Sequence, residues 1–181
     1  MSVPREDGAR RAGGAWYDRG IVIGDARTLL AVDLGLRTGF ALYAADGRLR
    51  RYASRHYGTP ARLRRAAGRV LGQYTDLAWL VIEGGGTLAR IWEQAAGRAG
   101  VRVLTLYAED WRSDLLYSRS RRTGRQAKRH ADRLARRVIA WSGAPAPTSL
   151  RHDAAEAILV GLWGVLRLGW LDGLPGELRG V

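Results

Sequence analysis

The chain has 181 residues, 46% of them hydrophobic, enough for one domain that buries about 70% of its unfolded surface, which excludes a disordered tail protein. Its 30 Lys and Arg stand against 17 Asp and Glu for a net charge of +13, a surplus beyond solubility needs that points to a polyanion, most simply nucleic acid. There is no cysteine, so disulfides, thiolate zinc sites and cysteine nucleophiles are excluded, and with only three histidines any metal must be held mainly by oxygen.

Lys128 is the only lysine, so 29 of the 30 basic residues are arginine. A compositional pressure explains arginine over lysine; it does not explain base over acid. Residues 1–27 are rich in Gly and Arg, show little periodicity, and are expected to form a flexible basic arm, with one short extended segment at Ile21–Ile23. Residues 28–170 then form the main domain and 171–181 a tail. Leu29–Leu34 reads as a buried strand and Gly39–Ala44 as its hairpin partner, and the Asp46-Gly47 turn leads to a third strand at Leu49–His56. Thr59-Pro60 starts a helix with Pro at its first position, and Leu63, Ala67, Val70, Leu71 and Tyr74 fall on one face.

LAWLVIEG, Leu77 to Gly84, is the near-continuous apolar run of a central strand covered on both faces. Thr87–Ala99 reads as a helix with the stripe Leu88, Ile91, Trp92, Ala95 and Ala99. Val101–Ala108 is a further strand, followed by a helical turn near Asp110–Leu115. Gly124–Trp141 is a basic helix with Ala127, Ala131, Leu134, Val138 and Trp141 inward. The last helix, Asp153–Leu168, is apolar nearly all round and should be buried. The expected fold class is α/β: a five-stranded mixed sheet, three antiparallel strands and then two parallel ones, flanked by helices on both faces. The longest apolar run, Ala157 to Leu166, is too short to span a bilayer, and no apolar signal core opens the chain; a cytoplasmic protein is expected.

Four acids stand out. Asp33 interrupts the first strand, and Glu83 ends the central one, where ligands of open α/β sheets collect. Asp153 and Glu156 lie one turn apart at the start of the last helix. Asp153 alone suits helix capping, but Glu156 on a buried helix is an unpaired charge that a core does not tolerate freely. Two carboxylates about 5 Å apart at an effective dielectric near 20 repel by roughly 3 kcal/mol. Divalent cations relieve that repulsion, and oxygen ligands suit Mg²⁺ or Mn²⁺. Such ions, in pairs, assist in-line displacement at a phosphodiester.

AVDLGLRTGFALY, LVIEG and HDAAEAI, in this order and on these elements, resemble the RuvC family of Holliday junction resolvases, within the RNase H-like (retroviral integrase) superfamily. The similarity runs from about Leu29 to Leu166. It implies an RNase H-like fold in which Asp33, Glu83, Asp153 and Glu156 hold two Mg²⁺ ions, with Mn²⁺ able to substitute and no small-molecule cofactor. It implies a homodimer that nicks two strands of branched DNA, a four-way junction, symmetrically. In such enzymes the helix after the second acid commonly builds the two-fold interface; here that places Trp92 and Ile91 either against their symmetry mates or in the chain's own core. The resemblance also adds Lys128 as a functional lysine at the start of the basic helix. Two departures stand out: the fourth acid is Glu156 where Asp is usual, and the loop after Glu83 is Gly84-Gly85-Gly86 where an aromatic is usual.

His152, beside the acid pair, reads either as a structural helix-entry histidine or as a contact to the metal-bound water or the scissile phosphate. The candidate DNA-binding residues are Arg37, the loop glycines Gly85 and Gly86, Arg112, and Arg119, Arg121, Arg122, Arg125, Lys128 and Arg129 of the basic run. Competing readings are an actin-like sugar kinase, for which the chain is too short, a nuclease acting on forks, flaps or RNA-containing duplexes, and a non-cutting structure-specific DNA-binding protein.

Overall fold

The computed structural model describes residues 27–116 and 124–179. The arm at 1–26, with its extended segment, and the start of the basic run at 117–123 lie outside the described residues. Five strands, β1 (Thr28–Asp33), β2 (Arg37–Ala44), β3 (Leu49–His56), β4 (Leu77–Glu83) and β5 (Arg102–Leu106), form one sheet in the order β3-β2-β1-β4-β5. The first three pair antiparallel, and β4 and β5 join in parallel. The helices are α1 (Pro60–Leu71), α2 (Gly86–Ala99), α3 (Ala108–Leu115), α4 (Gly124–Ser142) and α5 (His152–Arg167). No helix among the described residues is long and apolar enough to cross a membrane.

Alternation along the strands divides the core into two layers, because successive side chains of a strand point to opposite faces. On one face Leu30, Val32, Phe40, Leu42, Leu80 and Ile82 meet Leu63 and Leu71 of α1 and Trp92 and Ala95 of α2. On the other, Leu29, Ala31, Ala41, Tyr43 and Val81 meet α5 and the inner sides of α3 and α4. Each leucine fully buried in this way contributes roughly 1.5–3 kcal/mol. The Ile91 and Trp92 side chains are both in the chain's own core, at 3% and 0% exposure. They do not lie on a surface that a symmetry mate reaches.

Local chemistry sets the element ends. The Thr59 hydroxyl accepts a hydrogen bond from the Arg62 N–H at 3.2 Å, and Pro60 opens α1, as an N-cap and first-turn proline should. The α3 helix starts at Ala108, before the expected Asp110, because Asp110 reaches back: its Oδ2 accepts from the Tyr107 N–H at 2.7 Å. This satisfies a backbone donor at the helix start. Residues 171–179 fold back on the core, where Leu171 and Leu174 pack and Leu178 is buried. Arg137 of α4 holds this segment through the carbonyl oxygens of Glu177 and Arg179.

Candidate active site

One row of residues crosses the sheet. Ser54 pairs with Gly39, Gly39 with Asp33, Asp33 with Glu83, and Glu83 with Leu106. Period-two alternation turns Asp33, two residues beyond Ala31, and Glu83, two beyond Val81, to the face that α5 covers. They end adjacent parallel strands, whose backbones run about 4.8 Å apart.

Gly39 explains how the other two acids reach the row. A Cβ at this position would overlap the carbonyl group of Asp153, so only glycine lets the first turn of α5 rest on β2. Two further small residues extend the close approach. A Cβ on Gly161 would strike the Tyr43 ring, and one on Gly164 would lie 3.0 Å from Val81 Cγ2. The Tyr43 hydroxyl donates to the Ile158 carbonyl oxygen at 2.7 Å, pinning the helix to β2. Seated this low, α5 brings Asp153 and Glu156 beside the ends of β1 and β4.

The electrostatics record the convergence. Burial first, then the charges of Glu156, Glu83 and Asp153, push the Asp33 carboxyl up to about 8, against the opposing pull of Arg112. Burial and Glu156 raise Glu83 to about 7, while the Trp111 hydrogen bond and Arg112 act to lower it. Each acid but Asp33 has a partner among the described residues. The Trp111 indole N–H donates to Glu83 Oε2 at 2.9 Å. The Ser54 hydroxyl donates to Asp153 Oδ2, and Arg151 stands 4.0 Å from the other oxygen. Glu156 is ion-paired with Arg112 at 2.8 Å and has His152 Nε2 at 3.4 Å.

With the side chains so engaged, no group of three or more acids and histidines among the described residues is arranged to hold a metal ion. The chemistry of the donors nonetheless fits one. All are oxygens, which suit hard divalent cations. Asp33 stands against three other carboxylates, a concentration of like charge that a cation neutralises. Arg112 now serves as their counter-ion: it pairs with Glu156 and acts electrostatically on Asp33 and Glu83.

The remaining sequence candidates are dispersed. Arg37 is exposed at the start of β2, Gly85 is exposed in the loop after Glu83, and Gly86 is exposed at the start of α2. Gly84 and Gly86 have φ of 109° and 72°, a region that favours glycine. Lys128 and Arg129 are exposed on α4, and among the described residues Lys128 makes no hydrogen bond or ion pair with the carboxylates. Arg119, Arg121 and Arg122 fall outside the described residues, as does the side chain of Arg125. Sequence reasoning missed Ser54 and Gly39 as parts of the site. Trp111 is fully buried and holds Glu83.

No family model matches the chain, and no curated protein matches its sequence. Among solved structures it is similar to Thermus thermophilus RuvC in complex with a Holliday junction substrate, with a TM-score of 0.56 and 16% identity over 79% of this chain and 96% of that one. A second Thermus thermophilus RuvC structure aligns with a TM-score of 0.55 and 17% identity, over 78% of this chain and 96% of the other. At such identity the similarity is one of architecture: the chain has the RNase H-like fold in the form that the RuvC structures take.

Proposed function

We propose that the chain is a divalent-metal-dependent, structure-specific endodeoxyribonuclease that resolves four-way DNA junctions by paired symmetric nicks. The observation that carries the reading is the meeting of Asp33 and Glu83, abreast on neighbouring strands, with Asp153 and Glu156 from the first turn of α5. A core gains nothing from such a gathering. The positive surplus of the chain supplies attraction for the phosphodiester backbone, and the fold is one that RuvC presents to a Holliday junction.

In this reading Asp33, Glu83, Asp153 and Glu156 hold Mg²⁺ or Mn²⁺, which when bound supplies positive charge against the charge that develops on the phosphodiester. The chain's own groups prepare the site. Trp111 fixes one Glu83 oxygen and Ser54 one Asp153 oxygen, while the other Asp153 oxygen faces Arg151 at 4.0 Å. Arg112 serves as the counter-ion of the carboxylates, and with a divalent cation in that role its guanidinium would suit a phosphate oxygen. In this reading His152, 42% exposed on its side chain beside Glu156, contacts the metal-bound water or the scissile phosphate. Because a four-way junction offers two equivalent strands, the active assembly is a homodimer.

The test is cleavage of labelled four-way junction, fork, flap and RNA–DNA hybrid substrates with Mg²⁺, and with EDTA as control. Paired nicks in the junction, lost in EDTA and in Asp33→Asn or Glu83→Gln, are expected. Preference for another substrate would redirect the reading to forks, flaps or hybrids, and metal-independent cutting would overturn it.

A further inference from the structure

Tyr107 is the one large hydrophobic side chain that stands exposed among the described residues, at 63%. A single exposed aromatic is ordinary; its location is not. It follows β5, whose last residue pairs with Glu83, and the Gly84 N–H donates to the Leu106 carbonyl oxygen at 2.9 Å. A Cβ on Gly85 would lie 3.9 Å from both the Cε1 and the hydroxyl of Tyr107. The ring therefore borders the glycine loop that leaves Glu83. Above that loop the space is open, for a Cβ on Gly86 would meet nothing within 4 Å.

The ring is also held at its root. The Tyr107 N–H donates to Asp110 Oδ2 at 2.7 Å, and the Asp110 N–H donates back to the Tyr107 carbonyl oxygen at 3.0 Å. A fixed backbone bearing an exposed ring is preorganised, with few torsions left to order on binding. The adjacent Glu109 and Asp110 carboxylates are exposed and repel phosphate. The flat face of a neutral, unpaired nucleobase is what this plate fits.

We propose that Tyr107 is a stacking platform for an unpaired nucleobase next to the scissile phosphate. The proposal rests on the nuclease reading above and deepens it: the substrate must present an unstacked base beside the cut, as branched DNA does at a crossover. Base–aromatic stacking tolerates any base because every base has a π-face, so this contact selects structure and not sequence.

The experiment places 2-aminopurine, one position at a time, in each strand flanking the crossover of a four-way junction. Binding is read in EDTA, so that no strand is cut, and single-turnover cleavage is read in Mg²⁺. For the parent and Tyr107→Phe, one position changes its fluorescence on binding, and the two cut within about threefold of each other. For Tyr107→Ala that change is lost and cutting slows by about 5- to 100-fold, a range set by typical stacking strength, with an unaltered melting temperature. Equal signals and rates in Tyr107→Ala and parent would overturn the proposal, as would a Phe variant as impaired as Ala. A parent that neither binds nor cuts branched DNA would overturn the nuclease reading, and this inference with it.

Discussion

The two faces of the sheet are packed to different tolerances. Under α1 and α2 the layer is filled by volume, with Phe40 and Trp92 edge to face at 5.6 Å between ring centres. The glycines of those helices, Gly68 and Gly97, would have nothing within 4 Å of an added Cβ. Under α5 the layer is filled by proximity: Gly39, Gly161 and Gly164 each leave a gap that a neighbouring strand or helix occupies. Both faces are apolar, and the close one carries the four carboxylates at its rim. A helix that must deliver acids to strand ends has to sit low on the sheet, and glycine is what permits it. The distant face is free to hold bulk and so to supply stability.

The sharpest way to separate the faces is to damage each. Trp92→Ala should destabilise the fold by about 3–5 kcal/mol, as large-to-small changes in a core do, while each molecule still folded cuts at the parent rate. Denaturant melts and single-turnover cleavage at low temperature check both halves. Gly39→Ala should cost about 1–3 kcal/mol through overpacking and also abolish cutting, because it displaces the turn that holds Asp153. Stability loss without loss of cutting would show that the low seat of α5 is irrelevant to chemistry.

A third change should reverse the sign. The folded chain raises Asp33 from 3.8 to about 8 and Glu83 from 4.5 to about 7. Their contribution to stability is therefore fully present below about pH 4 and is lost as pH rises to 7–8, because the unfolded chain gives up these protons first. Asp33→Asn should stabilise the metal-free protein at pH 8 by about 1–3 kcal/mol, allowing for solvent screening, and flatten its stability between pH 5 and 8. No change in the pH profile would mean that neither burial nor the neighbouring acids raise Asp33. The smallest effect belongs to the distant face: Gly68→Ala, mid-helix and exposed, should gain about 0.5–1 kcal/mol, leaving cleavage untouched.

What could be read from sequence, and what could not, follows the same division. Strand and helix positions were legible because period and turn residues act locally: Leu49–His56 is found at the expected limits. The four acids stood out as candidates too, since a carboxylate within an apolar run has few structural excuses. The row itself was hidden. Ser54 and Gly39 meet only through the register of the β2–β3 hairpin, which shifts between Leu42 and Tyr43 and leaves no mark in composition. What the stripe of α2 packs against was equally hidden: Ile91 and Trp92, open to a symmetry mate or to the chain's own core, proved to serve the core. Tyr107 passed as part of a strand until the Asp110 cap moved the start of α3 and set its ring outside.

The central claim is that the carboxylates under α5 await a divalent cation, and thermal melting at pH 8 tests it most directly. Parent and Asp33→Asn would each be melted with EDTA and with Mg²⁺. The account predicts that the parent melts below the variant in EDTA and that Mg²⁺ raises its Tm, since a ligand of the native state alone stabilises it by mass action; the variant should respond much less. A parent indifferent to Mg²⁺, or a variant that gains as much as the parent, would contradict it.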